Sequence, residues 1–284
     1  MSVHIEIVGR GPDLVLLHGW GMHGGVWDGV RDALAQRFRL HIVDLPGYGA
    51  SEISEIGEAE IGEAEIGDRP QFHESRNWGL SPISEPYDLE HLARAVAAAL
   101  PEKVHVCGWS LGGQVALEMA RLFPDQIERL VLTATTPCFT AREDWPCAVQ
   151  REVLLEFAAA LETDYEGTLK RFLALQTRGG DEVKKVLKRL RDILFTRGRP
   201  DVQTLRAGLN ILLGSDLRDR AAKIETPTLL LHGGRDMLTP VGAAHWFAEQ
   251  MPEVRLEVLQ GAAHAPFLSH PVEFTEIVTG FLHD

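Results

Sequence analysis

The segment Gly-Trp-Ser-Leu-Gly-Gly at 108–113 restricts the possible folds of this chain more than any other stretch. It follows an apolar run at 104–107 and leads into a segment with helical periodicity at 114–122. Glycines on both sides of a serine, placed between a strand and a helix, allow a turn that is too tight for flanking side chains. The pattern predicts a nucleophile elbow, in which Ser110 is exposed at the N-terminus of the helix.

Short apolar runs alternate with amphipathic segments on both sides of this elbow. The apolar runs predict strands at 3–7, 14–17, 40–43, 104–107, 127–134, 228–232 and 255–259. The periodic segments between them predict helices at 26–38, 88–100, 114–122, 241–251 and 271–282. This alternation indicates the α/β class, with a mainly parallel sheet that helices cover on both faces.

Two regions interrupt the alternation. Between 135 and 216 the strand signal disappears, and helical periodicity is found at 149–161, 165–176, 182–194 and 202–213. We therefore predict a core formed by 1–134 and 217–284, with an inserted helical lid at 135–216.

The second interruption is an acidic, low-complexity insertion at 52–86. Gly-Glu-Ala-Glu-Ile occurs twice in tandem, at 57–61 and 62–66, and the insertion has nine acidic and two basic residues. Such a composition is typical of a mobile surface excursion. Three apolar residues leave open some docking onto the body of the protein, namely Phe72, Trp78 and Leu80.

A serine nucleophile needs a base within hydrogen-bond reach and a carboxylate that orients the base. Asp236 follows the strand predicted at 228–232, and His264 follows the next strand. Side chains at the carboxyl ends of parallel strands gather at one edge of the sheet. The order Ser110, Asp236, His264 is that of the α/β-hydrolase fold, so we predict these three as the catalytic triad.

Other histidines and another aspartate compete for these roles. His18, His41 and His232 lie on or beside strands but lack the position downstream of the acid, and His270 is interpreted as a cap or surface residue. Asp44 is the rival acid, but it precedes the serine and is interpreted as a turn residue.

Two backbone amides are candidates for an oxyanion hole. The amide of Leu111 begins the elbow helix, where the helix dipole favours negative charge. The loop His-Gly-Trp-Gly at 18–21 follows a buried strand, and we predict the amide of Trp20 as the second donor. The alternative is a strand-to-helix turn with an aromatic cover and no catalytic role.

Charge and composition exclude several classes of protein. The net charge of -13 argues against a nucleic-acid binder. No 18 apolar residues run together and 1–6 have no signal-peptide pattern, so we expect no membrane partner and a cytoplasmic location. Three cysteines without metal-ligand spacing predict free thiols, with Cys107 buried in a strand. We expect no metal, no cofactor and a monomer.

Five segments together resemble the carboxylesterases of biotin synthesis, which hydrolyse the methyl ester of pimeloyl-acyl carrier protein. They lie at 16–21, 44–49, 108–113, 171–176 and 262–267. The similarity spans nearly the whole chain, but the acidic repeat departs from the family pattern. The resemblance implies a substrate site lined by Trp20, Ser110, Leu111, Phe172, Leu173, Ala174, Leu175, Gln176 and His264. The alternative is that Phe172 and Leu175 only pack the lid on the core.

A basic stretch at 170–199 has ten basic and three acidic residues. The helix predicted at 182–194 has one apolar face and places Lys184 and Lys188 on another. Together with Arg171, these lysines are suited to docking the acidic acyl carrier protein. The alternative is a solvated face of the lid without a partner.

We therefore predict a serine carboxylesterase that acts on the carrier-linked pimeloyl methyl ester. The alternatives are a broad short-chain carboxylesterase that takes small esters, or a C–C bond hydrolase of the same fold. A non-catalytic ligand-binding member is disfavoured by the intact triad. A haloalkane dehalogenase is disfavoured because its nucleophile would be an aspartate at the position of Ser110.

Overall fold

The computed structural model describes residues 1–52 and 87–283, so the repeat at 57–66 and the apolar residues Phe72, Trp78 and Leu80 lie outside the described residues. The described part contains seven strands: β1 His4–Gly9, β2 Asp13–Leu17, β3 Arg39–Asp44, β4 Val104–Trp109, β5 Ile127–Thr133, β6 Thr228–Gly233 and β7 Val254–Leu259. Its eleven α-helices are α1 Asp28–Ala35, α2 Leu89–Ala98, α3 Leu111–Leu122, α4 Arg151–Ala160, α5 Tyr165–Thr177, α6 Val183–Ile193, α7 Val202–Gly214, α8 Arg218–Ala221, α9 Val241–Gln250, α10 Pro266–Ser269 and α11 Pro271–His283.

The strands form one sheet in the order β1-β3-β2-β4-β5-β6-β7. β1 pairs with β3 in the antiparallel direction, and all other neighbours are parallel. The predicted fold class is therefore confirmed. Because every parallel strand ends at the same edge, the loops after β2, β4, β6 and β7 meet there.

The central strands are apolar because helices cover both faces of the sheet. Every residue of β4 and β6 is buried, which includes the predicted strand cysteine Cys107. The edge strand β1 has no fully buried residue, and its predicted alternation is only partly confirmed: Ile7 is exposed, while Glu6 is half-buried in ion pairs with Arg31 and Arg197.

The first helices begin at positions that their capping groups determine. The segment predicted as one helix at 26–38 begins as a 3₁₀ turn, Gly24–Trp27, and continues as α1. The Nδ1 atom of His23 accepts the Gly25 N–H at 3.1 Å and caps that turn. In α2 the carboxylate of Asp88 accepts the His91 N–H at 2.9 Å, so the helix starts one residue later than predicted.

Five helices, α4 to α8, lie between β5 and β6, and we call the first four, α4 to α7, the lid helices. In α6, Val186 and Leu190 are buried while Lys184 and Lys188 are exposed, as the periodicity predicts. The division into a core and a separate lid subdomain at 134/135 and 216/217 stays a prediction. Of the helices in the described ranges, none has both the length and the apolar character needed to cross a membrane.

Candidate active site

Ser110 occupies a strained turn between β4 and α3. Its backbone has φ 58° and ψ −119°, which is a sparsely populated region for a residue with a side chain. The hydroxyl of Thr135 donates to the Ser110 carbonyl at 2.7 Å and helps to hold this conformation. The predicted nucleophile elbow is thus present, with Ser110 immediately before the first residue of the helix. The expected exposure of Ser110 is wrong, because the loop after β2 and the His264 ring lie against it and leave the residue buried.

The elbow glycines are required by close backbone contacts. A Cβ on Gly108 would lie 2.3 Å from the Gly112 carbonyl oxygen. A Cβ on Gly112 would lie 2.5 Å from the carbonyl oxygens of Leu17 and His18. The elbow therefore packs directly against the end of β2, which brings the loop after β2 beside the nucleophile.

The structure brings together the three predicted triad residues. The Nε2 atom of His264 accepts the hydroxyl of Ser110 at 2.9 Å. On the other side of the ring, Nδ1–H donates to Asp236 Oδ2 at 2.8 Å. All three residues are buried, so these hydrogen bonds are made in a water-poor environment.

Asp236 is held by the loop that carries it. Its Oδ1 atom accepts the backbone N–H groups of Leu238 at 2.8 Å and Thr239 at 2.9 Å. The Thr239 hydroxyl donates to Oδ2 at 2.7 Å. Burial raises the pKa of Asp236, but His264 and these hydrogen bonds outweigh burial, so the pKa lies below its usual value. The acid is therefore ionised at neutral pH.

A second imidazole lies behind the acid. His232 Nε2–H donates to the Thr239 carbonyl at 2.5 Å and lies 3.8 Å from Asp236 Oδ2. Burial lowers the pKa of His232, which keeps this ring neutral. Nothing in the sequence pattern predicts that His232 and Thr239 contact Asp236, because these contacts depend on the path of the loop after β6.

The loop that carries His264 is attached to both the core and the lid helices. Its backbone N–H donates to the carbonyl of Gln176 in α5 at 3.1 Å. Its carbonyl accepts the indole N–H of Trp109 at 2.7 Å. The base is thus fixed by one residue of the elbow strand and one residue of the lid helices.

The loop after β2 passes beside the nucleophile. A Cβ on Gly19 would lie 3.1 Å from Ser110 Cβ. His18 shapes this loop, because its Nδ1–H donates to the Gly19 carbonyl at 2.8 Å and its Nε2 accepts the Leu45 N–H at 2.9 Å. Of the two predicted oxyanion residues, Trp20 lies in this loop and Leu111 is the first residue of α3, directly after Ser110.

Trp20 is enclosed by the lid helices. Its indole N–H donates to the Leu205 carbonyl in α7 at 2.8 Å. Its ring packs edge-on against Phe172 in α5, with 4.6 Å between the ring centroids. Phe172 also packs against Phe157 in α4 at 5.3 Å. Three of the four lid helices thus contribute to the surroundings of this tryptophan.

The predicted acyl-binding segment lies on α5. Phe172, Leu173 and Gln176 are buried, whereas Ala174 and Leu175 are half-buried. The side-chain oxygen of Gln176 is buried and has no hydrogen-bond partner among the described residues. The segment therefore combines an apolar surface with one buried acceptor whose bonding capacity is unused.

Asp44 does not take part in the triad. It is the last residue of β3, and its buried carboxylate accepts the N–H groups of Gly24 at 2.6 Å and Ala50 at 3.0 Å. A guanidinium nitrogen of Arg197 lies 3.5 Å away. The interpretation of Asp44 as a turn residue is wrong, because a strand residue that receives these donors is part of the buried structure.

The three predicted docking residues lie on α5 and α6 and are exposed. Arg171 pairs with Asp164 at 2.8 Å, and Lys188 pairs with Asp192. Lys184 has no ion-pair partner within the described part of the chain. In that same part, no group of three or more His, Cys, Asp or Glu side chains is arranged to hold a metal ion.

The fold and the Ser–His–Asp geometry together define a serine hydrolase. The sequence matches the alpha/beta hydrolase family over residues 14–277, and the chain belongs to this family. A relative from Nitrosomonas europaea is 44% identical over 273 residues, which cover 96% of this chain and 96% of the relative. One from Aeromonas hydrophila is 41% identical over 99% of this chain and 100% of its own length.

Both relatives are named pimeloyl-acyl-carrier protein methyl ester esterase, which confirms the resemblance inferred from the five sequence segments. Among solved structures, the esterase EaEST from Exiguobacterium antarcticum superposes with a TM-score of 0.79. It covers 99% of this chain and 96% of its own, at 23% identity, and therefore supports the fold alone.

Proposed function

We propose that this protein is a serine carboxylesterase that hydrolyses the methyl ester of pimeloyl-acyl carrier protein. The observation that carries the proposal is the continuous hydrogen-bond chain from Ser110 through His264 to Asp236. Near-full-length relatives that are named for this activity, at 44% and 41% identity, support the choice of substrate. No second activity is favoured by a specific contact in the site.

Acylation starts at the serine hydroxyl. Ser110 Oγ attacks the ester carbonyl carbon while His264 Nε2 takes the hydroxyl proton. Asp236 holds the ring by Nδ1 and stabilises the imidazolium that forms. The amides of Trp20 and Leu111 are the donors proposed for the oxyanion. When the tetrahedral intermediate collapses, His264 returns the proton to the methoxy oxygen, and methanol leaves.

Deacylation repeats these steps with water. His264 takes a proton from a water molecule, whose oxygen attacks the acyl carbon bound to Ser110. The Ser110 oxygen then leaves and regains its proton from the imidazolium. The products are the enzyme in its initial state and a free pimeloyl carboxylate that remains linked to the carrier.

The acyl chain is proposed to bind against the α5 segment. Phe172 and Leu173 offer buried apolar surface close to Trp20. Each methylene of the acyl chain that leaves water on this surface contributes about 0.8 kcal/mol to binding. Gln176 has a free acceptor oxygen, which suits a donor on the carrier's prosthetic arm.

Hydrolysis of two esters by the purified protein tests this function. We expect kcat/KM for the carrier-linked pimeloyl methyl ester to exceed that for a small soluble ester by at least tenfold. The gene should also restore growth of a bacterium that lacks its own biotin-pathway esterase. Equal values for both esters, together with no growth, would favour the broad short-chain carboxylesterase.

We further propose that Arg171, Lys184 and Lys188 dock the acidic carrier protein. Lys184 is the strongest candidate, because it is exposed and has no competing carboxylate in the described structure. The ion pairs of Arg171 and Lys188 are exposed, so an incoming carboxylate can replace Asp164 or Asp192 with little loss.

Charge reversal tests the docking surface. Lys184→Glu combined with Lys188→Glu should lower kcat/KM for the carrier-linked ester at least tenfold, and added salt should shrink the difference because the Debye length falls to about 3 Å at 1 M. The matched control is Lys103→Glu with Lys223→Glu, which changes two exposed lysines away from the lid helices by the same charge. If both pairs of substitutions act equally, the surface has no docking role.

A further inference from the structure

The lid helix α7 approaches the loop after β2 at a residue without a side chain. Gly208 is buried in the middle of α7. A Cβ at this position would lie 2.7 Å from Trp20 Cδ1, 3.1 Å from Trp20 Nε1 and 2.7 Å from the Tyr48 hydroxyl oxygen. The two shorter distances lie well inside van der Waals contact, so any other residue at 208 would displace one of these aromatic side chains or the helix itself.

The helix gains nothing from a glycine at this position. Glycine is less favourable than alanine in a helix interior, because its backbone loses more conformational freedom on folding. The reason for Gly208 therefore has to be found in what the helix contacts, and those contacts are Trp20 and Tyr48.

The same face of α7 also binds Trp20 through a hydrogen bond. Leu205, which accepts the Trp20 indole N–H at 2.8 Å, lies three residues before Gly208 and on the same side of the helix. The indole is therefore fixed in two ways, by a hydrogen bond at Leu205 and by close packing at Gly208. Phe172 closes the other side of the ring at 4.6 Å.

Tyr48 links Gly208 to the second support of the same loop. Its ring packs edge-on against His18 with 5.3 Å between centroids, and His18 donates to the Gly19 carbonyl. The Tyr48 hydroxyl is buried beside the Tyr87 side chain and the Gly21 backbone, and among the described residues it makes no hydrogen bond of normal geometry. Gly208 thus contacts both aromatic residues that support the loop from Gly19 to Trp20.

We propose that Gly208 is a positioning residue for the oxyanion hole. Its missing side chain lets α7 seat Trp20, and the seated indole sets the position of the Trp20 amide beside Ser110. This inference rests on the proposed serine esterase mechanism, in which that amide stabilises the oxyanion. The position of the lid helix α7 would then affect the rate of the chemical step and not only the binding of substrate.

Two glycine-to-alanine variants of α7 provide the test. Gly208→Ala should lower kcat for a small soluble ester at least tenfold and leave KM within about twofold, because the oxyanion donor acts mainly in the transition state. Gly214→Ala is the matched control, because a Cβ at the end of the same helix meets nothing within 4 Å. Its kcat should stay within about twofold of the parent.

A compensating variant separates positioning from loss of folding. Tyr48→Phe removes the oxygen that would lie 2.7 Å from the new methyl group, and the kcat of this single variant is the baseline for the double variant. In the Gly208→Ala background it should restore kcat at least threefold. Thermal unfolding and the rate of Ser110 labelling by a fluorophosphonate are measured on the parent, the three single variants and the double variant. The first measurement reports folding, and the second reports oxyanion stabilisation.

The inference is overturned if folded Gly208→Ala keeps the parent kcat and labelling rate, or if it raises KM alone. If Gly208→Ala does not fold, the double variant decides, and a kcat equal to that of Tyr48→Phe overturns the inference. The small ester makes this test independent of the carrier. A parent enzyme that cleaves the small ester but not the carrier-linked ester refutes the proposed substrate and leaves the role of Gly208 to be decided as above.

Discussion

Two pairs of histidine and aspartate lie at the same edge of the sheet, and only one of the two histidines is hydrogen-bonded to the Ser110 hydroxyl. His264 and Asp236 follow β7 and β6, which are parallel neighbours. His18 follows β2 and Asp44 ends β3, which are also parallel neighbours. All four residues are buried.

The two pairs differ in the hydrogen-bond partners of their side chains. His264 donates Nδ1–H to the Asp236 carboxylate, and its Nε2 accepts the Ser110 hydroxyl. Both ring nitrogens of His18 are occupied by backbone groups, namely the Gly19 carbonyl and the Leu45 N–H. Asp44 accepts backbone N–H groups and faces Arg197. Residue type and strand position are thus insufficient to identify the catalytic histidine. A base also needs one ring nitrogen that is not already hydrogen-bonded to a backbone group.

The comparison predicts the largest loss of activity at the first pair. Ser110→Ala or His264→Ala should each lower kcat/KM for any ester by at least about 10³-fold, since the members of a triad act as a unit. Ser110→Ala should not alter the urea midpoint by much, because it removes a single oxygen, whereas His264→Ala empties a fully buried site beside Trp109 and should lower the midpoint. A variant that keeps more than a few percent of turnover, in a preparation free of parent enzyme, would contradict the triad.

The second pair should respond in stability. Asp44→Asn removes one of the two carboxylates near Arg197, which keeps its ion pair with Glu6, and it weakens the bonds to Gly24 and Ala50. The free energy of unfolding should therefore fall by about 2 kcal/mol, mainly through the weakened charge-assisted hydrogen bonds. Asp236→Asn is the matched change in the catalytic pair, and it should mainly lower kcat. Urea unfolding and ester kinetics on both variants check this prediction. It is contradicted if Asp44→Asn mainly lowers kcat and Asp236→Asn mainly lowers stability.

As the pH falls, protonation of His18 should destabilise the protein at a higher pH than protonation of the carboxylates. Burial lowers the pKa of His18 to about 4 from 6.5, despite the nearby charge of Asp44. The unfolded chain therefore takes up this proton first, and stability falls as the pH drops from about 6.5 to about 4, by up to about 3 kcal/mol at 1.36 kcal/mol per pKa unit. Burial also lowers the pKa of His23 and His232, which acts in the same direction.

Urea unfolding at pH 7 and pH 5 measures this slope. His18→Gln, which removes the titrating ring, should have a smaller difference between the two pH values than the parent. An equal difference in both proteins would assign the acid sensitivity to the other buried histidines.

The smallest effect concerns the hydroxyl that supports the catalytic acid. Thr239→Val removes the 2.7 Å bond to Asp236 Oδ2 and should lower kcat about fivefold, as expected for roughly 1 kcal/mol. Thr228→Val is the control, because it removes an equally short buried bond, to the Thr226 carbonyl, far from the triad in the same strand region. Both variants should lose similar stability, and only the first should lose turnover.

The sequence was sufficient for those features that depend on local pattern. The order of strands and helices, the elbow and the triad follow from periodicity and from glycines whose neighbours exclude a Cβ. The role of Asp44 was misjudged because its donors come from 20 residues before it and from Ala50 after it. The contacts of His232 and Thr239 with Asp236 were not predicted, because nothing in a linear pattern shows which buried groups a loop brings together.

The crowded elbow also bears on how such an enzyme can be re-engineered. Gly108 and Gly112 are in contact with backbone atoms, so no rotamer of a larger residue relieves the clash. A saturation library at these positions would return mostly inactive clones, and so would random mutagenesis that reaches them. If α5 binds the acyl chain as proposed, substitutions meant to change the accepted acyl length belong instead at positions such as Leu175, whose half-buried side chain can change in volume without touching the nucleophile.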